Sequence, residues 1–113
     1  MSKKEQVSRP TKKSEYAVFF ATSEAKKGWS DLKAVRLNGL VEAWDTLTTN
    51  PLQVSPTCYQ LRGELAKVTR NGIEHDRWQL KFSATYGARI WYYVVGQEVF
   101  LENVSVGHPN QTK

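Results

Sequence analysis

The stretch that decides the fold is ARIWYYVVGQEVFLENVSVGH, residues 88–108. Residues 88–95 are largely β-branched or aromatic and they alternate, which predicts a half-buried strand with two distinct faces. The side chains expected on the inward face are those of Ala88, Ile90, Tyr92 and Val94. Gly96-Gln97 predicts a two-residue turn, because glycine adopts a positive φ without strain. The stretch therefore predicts a β-hairpin.

The second strand of this hairpin, from about residue 98, changes phase partway along. Val99 and Leu101 alternate with polar residues, but the next apolar residues are Val104 and Val106. One extra residue in a strand is the pattern of a β-bulge, which we expect near Asn103.

The residues before the hairpin begin with a strand and two helices. Residues 16–22, YAVFFAT, predict a short apolar strand. Apolar residues then recur at helical spacing, which predicts two amphipathic helices over about 23–34 and 36–49. Trp29 and Trp44 fall on the apolar stripes and are expected in the core.

Further strands follow the helices. Residues 59–65 are expected to begin a strand, and Asn71-Gly72 predicts a turn. Residues 78–83 alternate strictly, with every second side chain apolar and inward from Trp78. This order predicts an α+β domain in which the helices cover one face of a curved antiparallel sheet.

Composition limits the class of protein. A chain of 113 residues, 40% hydrophobic, suits one domain with one core. The single cysteine, Cys58, excludes an internal disulfide and is typical of a reducing cytosol. No apolar run reaches the roughly 18 residues that a membrane span needs. The charged N-terminus lacks the apolar run of a signal peptide, so we expect a cytoplasmic protein.

Charge is distributed unevenly along the chain. The net charge is +5, but residues 1–14 hold five Lys and Arg against one Glu, a balance of +4, and the remaining 99 residues sum to +1. Residues 1–14 are predicted to be a disordered basic tail, either solvated or a tether for RNA or an acidic partner. The folded domain is predicted to span residues 15–113. Nucleic-acid binding must depend on where its charges lie.

Three short motifs carry a resemblance to a known family. They are Leu61-Arg62-Gly63, Arg89-Ile-Trp-Tyr92 and Asn103-Val-Ser-Val-Gly107. With the N-terminal strand and the helical pair, the chain from about residue 16 onward resembles the RelE/ParE superfamily of bacterial type II toxins. The resemblance implies a RelE-like fold and a cognate antitoxin. In the RelE-like branch it implies an endoribonuclease that cleaves mRNA on the ribosome without a metal or cofactor.

The resemblance also implies roles for particular residues. Lys81 and Arg89 fall on positions that contact the scissile phosphate, and His108 falls where related toxins carry a catalytic group. Cleavage by the 2′-hydroxyl of the RNA needs a base, stabilisation of the phosphorane and an acid. A protein that binds single-stranded RNA also needs cations for the phosphates and aromatic surfaces on which the bases stack. The residues expected to bind RNA are Arg62, Gln79, Trp91, Tyr93 and Asn110.

Alternatives stay open at this stage. Gln79 stands where nuclease relatives often carry lysine, and the late tyrosine of related chains is missing. A ParE-like DNA gyrase inhibitor and a non-toxic RNA- or protein-binding module are therefore the other candidates. Arg89 is otherwise a solvated charge or a partner for Glu98 or Glu102. His108 is otherwise a residue that packs at the strand end.

Two further expectations concern the aromatic residues and metals. Trp91 and Tyr93 are either stacking surfaces for RNA bases or are covered by an antitoxin or by the chain's own tail. His75 lies in a polar turn and is expected at the surface. No metal site is expected, since two histidines and one cysteine lack ligand spacing.

Overall fold

The computed structural model describes residues 5–82 and 87–107, which form an α+β fold with two helices against a mixed sheet. In chain order the elements are β1 (Ala17–Phe20), α1 (Ser23–Val35), α2 (Leu37–Thr49), β2 (Cys58–Gln60), β3 (Lys67–Arg70), β4 (Ile73–Asp76), β5 (Trp78–Lys81), β6 (Arg89–Val95) and β7 (Glu98–Ser105). Five strands form one sheet in the order β1-β7-β6-β5-β2, and β3 pairs with β4 alone.

The two predicted helices are confirmed to within one residue at each end. Thr22 caps α1, because its hydroxyl oxygen accepts a hydrogen bond of 3.0 Å from the Ala25 N–H. Arg36 has φ −142°, outside the helical region, so the chain breaks there into α1 and α2. The buried helical side chains face the sheet, and they are Ala25, Leu32, Leu40, Ala43, Leu47 and Thr48.

The sheet is mixed: the strands after the helices pair antiparallel as predicted, and the N-terminal strand adds a parallel edge that the sequence did not predict. β1 runs parallel to β7, pairing Ala17 with Glu98 and Phe20 with Leu101. The reason is that the chain leaves β1 through the helical pair and re-enters the sheet at its far edge, as β2. The last strand then returns beside β1 in the same direction.

The β6–β7 hairpin forms as the sequence predicts. Gly96, the first turn residue, has φ 60°. Trp91 pairs with Asn103 but Tyr92 pairs with Leu101, so Glu102 is the extra residue of a bulge. The bulge lies one position from the predicted one. It keeps residues on both sides of Glu102 in the core, because Leu101 and Val104 are both buried.

The core lies between the helices and one face of the sheet. Tyr92, Ile90, Val99 and Leu101 are completely buried there. Trp29 packs against this core. Trp44 is 38% exposed, so the prediction that it is a core residue is wrong. Of the apolar residues of α2, Leu40 and Leu47 are buried, whereas Trp44 lies on the more exposed side of the helix with Leu37 and Val41.

Residues 59–65 form less strand than predicted. β2 ends at Gln60, and Gly63–Leu65 is one turn of 3-10 helix, which Gly63 begins with φ 67°. The predicted turn at Asn71-Gly72 is confirmed, with φ 53° and 77°, and it joins β3 to β4. This β3–β4 hairpin packs over the sheet face opposite the helices.

The predicted basic tail is described from residue 5 onward. Residues 5–14 are exposed, and they contain no helix or strand. Arg9 forms an ion pair of 3.2 Å with Glu15. Within residues 5–82 and 87–107, no helix has the length and apolar character that crossing a membrane requires.

Candidate nucleic-acid interface

The sheet face opposite the helices, called the open face below, carries polar and aromatic side chains in cross-strand rows. Directly opposed residues of antiparallel strands have Cβ atoms about 5 Å apart, so each row brings several strands together. One row pairs Lys81 with Arg89. The next row joins Tyr59 of β2, Gln79 of β5 and Trp91 of β6.

The first row places two cations side by side. Lys81 and Arg89 are both half-buried, and like charges directly opposite each other in a sheet are destabilising. Arg89 has no ion pair with a carboxylate in the described part of the chain. The suggested partners are not beside it: Glu102 binds two other arginines, and Glu98 pairs with Val95 at the far end of β6. The row is therefore suited to an anion.

The second row is joined by hydrogen bonds through one glutamine. Gln79 Nε2 donates to the Tyr59 hydroxyl oxygen at 3.0 Å, and Trp91 Nε1 donates to Gln79 Oε1 at 2.9 Å. Gln79 is only 6% exposed, whereas Tyr59 and Trp91 are half-buried. Lys81 Nζ lies 6.0 Å from the centroid of the Tyr59 ring. The cationic row and the aromatic row are therefore in contact.

The bulge residue Glu102 fastens the β3–β4 hairpin to the open face. Its carboxylate accepts a hydrogen bond of 3.1 Å from Arg70 and one of 2.8 Å from Arg77. Glu102 is 8% exposed, so its carboxylate is buried, whereas the side chain of Arg77 is 16% exposed and that of Arg70 is 40% exposed. The Arg77 guanidinium also lies 5.2 Å from the centroid of Trp91, a cation–π contact.

Four aromatic rings form a row across the open face at its other end. Phe19, Phe100, Tyr93 and His75 stack in that order, with centroid distances of 5.5, 5.3 and 4.6 Å. Tyr93 is 6% exposed because His75 of the hairpin covers it. His75, expected at the surface, is half-buried in this stack.

The structure brings together four of the residues predicted for the site and separates two others. Lys81, Arg89, Gln79 and Trp91 form the two adjoining rows. Tyr93 lies beneath the hairpin. Arg62 is exposed before the 3-10 turn, near the start of β5, whereas Lys81 ends that strand. The RNA-binding roles of these residues stay predictions.

His108 and Asn110 lie outside the described residues. The described chain ends at Gly107, whose backbone lies against that of Gly87 and Ala88. A Cβ atom at Gly107 would stand 2.3 Å from the carbonyl carbon of Gly87. The chain therefore reaches residue 107 at the Arg89 end of the open face.

Three side chains of this surface were not identified from the sequence: Tyr59, Arg77 and Glu102. For Glu102 the sequence contained one signal, the change of phase in β7, because it marks an extra residue whose side chain does not point into the core. Tyr59 and Arg77 gave no signal, because their importance comes from pairing with residues at least 20 positions away.

Cys58 and Tyr92 lie on the helix side of the sheet and do not belong to this surface. The Tyr92 hydroxyl donates a hydrogen bond of 2.6 Å to the Pro51 carbonyl and lies 3.1 Å from Cys58 Sγ. Burial, and then the hydrogen bond to Cys58, raise the pKa of Tyr92 far above 10.0. Burial also raises the pKa of the Cys58 thiol. Both groups are therefore neutral parts of the core.

The fold and the open face define an α+β protein with a cationic and aromatic surface. Neither a protein-family model, nor a curated protein, nor a solved structure matches this chain. Membership of the RelE/ParE superfamily stays a prediction based on the motifs in the sequence. No group of three or more His, Cys, Asp or Glu side chains placed to hold a metal occurs among residues 5–82 and 87–107.

Proposed function

We propose that this protein is the toxin of a type II toxin–antitoxin system, a ribosome-dependent mRNA endoribonuclease of RelE-like fold. The observation that carries the proposal is the pairing of Lys81 with Arg89 on the open face. A phosphate bound between these strands relieves the repulsion of two adjacent cations. Arg89 supplies a planar fork that matches two phosphate oxygens, and Lys81 supplies a point charge.

The chemistry needs only groups of the RNA and of the protein. The 2′-hydroxyl loses its proton and attacks the neighbouring phosphorus, and the bond to the 5′-oxygen of the next nucleotide breaks. The departing oxygen takes up a proton, and the RNA keeps a 2′,3′-cyclic phosphate. Lys81 and Arg89 stabilise the extra negative charge of the phosphorane, which exceeds that of the substrate phosphate. His108 is the proposed proton-transfer group, since imidazole titrates near neutral pH.

A cognate antitoxin is the proposed protein partner. An apolar stripe runs along the outer side of α2, with Leu37, Val41 and Trp44 each between 38 and 53% exposed. Exposed apolar groups in such a row are typical of an interaction surface. Lys33 in the last turn of α1 and Arg36 between the helices add positive charge near one end of this stripe. An acidic, amphipathic segment of an antitoxin fits this combination.

The test is cleavage of mRNA during translation in a reconstituted system. Arg89→Ala is expected to lower the cleavage rate by about 100-fold or more, because it removes a donor to the phosphorane. Lys81→Ala is expected to lower it as well, and Arg89→Lys to restore part of the rate. Lys26→Ala, which removes an exposed cation from α1, is the matched control and should cleave at the wild-type rate.

Two results would contradict the proposal. The first is intact mRNA with the wild-type protein under active translation. The second is cleavage that Arg89→Ala leaves unchanged. Intact mRNA together with trapped gyrase–DNA complexes would assign the protein to the ParE-like alternative.

A further inference from the structure

We infer that Tyr59 is a base-binding residue of the RNA site and that Gln79 is a positioning residue for Tyr59 and Trp91. Tyr59 and Trp91 are called the aromatic pair below. The inference rests on the proposed function and deepens it, since it states which part of the open face binds a nucleobase beside the phosphate.

The aromatic pair has a fixed geometry. Tyr59 and Trp91 stand on β2 and β6, with β5 between them, so their backbones are roughly 10 Å apart at ordinary strand spacing. Gln79 bridges that distance by two hydrogen bonds, of 3.0 and 2.9 Å. Both amide atoms of Gln79 are therefore engaged, and only 6% of the residue is exposed. Gln79 holds two rings in place rather than contacting RNA itself.

The aromatic pair adjoins the cationic row. Along a strand, residues two apart share a face and lie about 7 Å from each other. Trp91 is two residues from Arg89 on β6, and Gln79 is two residues from Lys81 on β5. A phosphate bound by Lys81 and Arg89 thus has its own nucleotide within reach of the aromatic pair. Stacking on aromatic rings beside cations is the usual way in which proteins bind single-stranded RNA.

Tyr59 has a hydrogen that the rest of the described structure does not use. Its hydroxyl oxygen accepts the hydrogen bond from Gln79 Nε2, so its O–H is left to act as a donor. Within residues 5–82 and 87–107, the Tyr59 hydroxyl donates to no other group. The carbonyl oxygens and ring nitrogens of nucleobases are acceptors of this kind. Tyr59 therefore combines a stacking surface with one donor to a base.

The experiment uses translating ribosomes programmed with mRNAs that differ at the cleaved codon. One mRNA is intact, and three others each lack the base at one codon position while keeping ribose and phosphate. Tyr59→Leu is expected to lower kcat/KM on the intact mRNA by about 10-fold or more. On the mRNA that lacks the contacted base, wild type and Tyr59→Leu are expected to cleave equally slowly.

Two further variants separate binding from positioning. Tyr59→Phe keeps the ring but loses the hydroxyl, and with it both the donor to a base and the acceptor for Gln79 Nε2. It should therefore keep most of the stacking, show a smaller dependence on base identity and share part of the KM increase of the next variant. Gln79→Leu keeps both rings but removes the bridge, and it should raise KM more than it lowers kcat. Arg89→Ala, in contrast, should slow cleavage of all four mRNAs to the same extent.

The outcomes are distinguishable. If wild type cleaves but Tyr59→Leu cleaves the intact mRNA equally well, the inference is wrong and the proposed function stands. A loss in Tyr59→Leu that is the same on all four mRNAs also overturns the inference, because it assigns Tyr59 a structural role. If wild-type protein cleaves none of the mRNAs, the proposed function itself fails.

Discussion

Gly28 shows how a single residue sets the distance between a helix and the sheet. It lies in the middle of α1, facing β7. A Cβ atom added there would stand 1.8 Å from the carbonyl oxygen of Val104 and 2.8 Å from its carbonyl carbon. Both are backbone atoms of a paired strand, so neither can move aside alone. The absence of a side chain at Gly28 is what allows α1 to lie directly on β7.

Gly28→Ala is therefore expected to destabilise the protein. Alanine should gain about 1 kcal/mol in helix propensity, but the steric clash should outweigh this and lower the free energy of unfolding by about 2 kcal/mol or more. Urea denaturation of wild type and variant measures the difference.

The matched control is Gly39→Ala in α2. A Cβ atom at Gly39 meets the ring of Phe82 at 2.9 Å, a side chain rather than backbone. Phe82 is half-buried, and a side chain can shift more readily than the backbone of a paired strand, so this variant should lose clearly less stability. A Gly28→Ala protein as stable as the Gly39→Ala protein would contradict the argument.

At the scale of elements, the β3–β4 hairpin is the part of the fold that depends most on polar contacts. Val68 is its one buried apolar side chain, with 7% exposure. Its other contacts to the sheet include the ion pairs of Arg70 and of Arg77, next to β4, with Glu102, the cation–π contact of Arg77 with Trp91, and the stacking of His75 on Tyr93. The Glu102 carboxylate therefore contributes much of the attachment of the hairpin.

Glu102→Gln tests this attachment. The amide keeps the size of the side chain but removes the charge that two arginines share, which should cost about 2 kcal/mol. Amide hydrogens of β3 and β4 are expected to exchange faster, whereas those of β6 should be affected only through global unfolding. Hydrogen exchange measured by mass spectrometry or NMR distinguishes the two. Uniformly faster exchange across all strands would argue against a local role for Glu102.

The elements that the sequence predicts well are those whose pattern is local. The two helices and the β6–β7 hairpin follow from spacing within 10 to 20 residues, and the bulge follows from a change of phase. The parallel pairing of β1 with β7 could not be predicted this way, because it joins residues about 80 positions apart. β3 and β4 were missed because each has four residues with few apolar side chains.

The candidate site shows the same difference between local patterns, which the sequence predicts, and contacts between distant residues, which it does not. Alternation placed Lys81, Arg89 and Trp91 on one face, and the structure confirms that they share it. Alternation also placed Tyr93 on that face, but only the folded chain shows that His75 covers it. Ion pairs and stacking contacts depend on which strands meet. That information is not contained in the periodicity of either strand.

At the scale of the whole molecule, the sheet separates two chemical environments. The helix side buries a phenol and a thiol, whereas the open face holds cations, a shared carboxylate and stacked rings. Tyr92 and Cys58 both have a pKa in the folded protein that burial raises above the ordinary value. The unfolded chain therefore releases these two protons at lower pH than the folded protein does.

Stability is consequently expected to fall at alkaline pH. The stabilising effect of the neutral groups is fully present below pH 9.0, the ordinary pKa of a thiol, and is lost progressively above it. A second contribution is lost above pH 10.0, the ordinary pKa of a phenol. Each group contributes a slope of up to about 1.4 kcal/mol per pH unit. Urea unfolding between pH 8 and 11 measures this slope.

The variants Tyr92→Phe and Cys58→Ala test which of the two groups causes the pH dependence of the free energy of unfolding. Each variant should be less stable than wild type near pH 8, because each loses a contact of the Tyr92–Cys58–Pro51 group. Tyr92→Phe should also show a flatter decline above pH 10, and Cys58→Ala a flatter one above pH 9. A Tyr92→Phe protein that declines as steeply as wild type would show that the phenol is not the source.

The bulge at Glu102 also determines which face of the sheet each of the last residues of β7 occupies. The residue opposite Arg89 is Ser105, three positions beyond the bulge. If Glu102 were paired with Trp91 and no bulge formed, the two-residue alternation would continue through Asn103, which would turn inward. Val104 would then lie opposite Arg89 and turn toward water, and Ser105 would turn away from Arg89. The one extra residue therefore keeps the second half of β7 in phase with the core, and it places a carboxylate where Arg70 and Arg77 bind it.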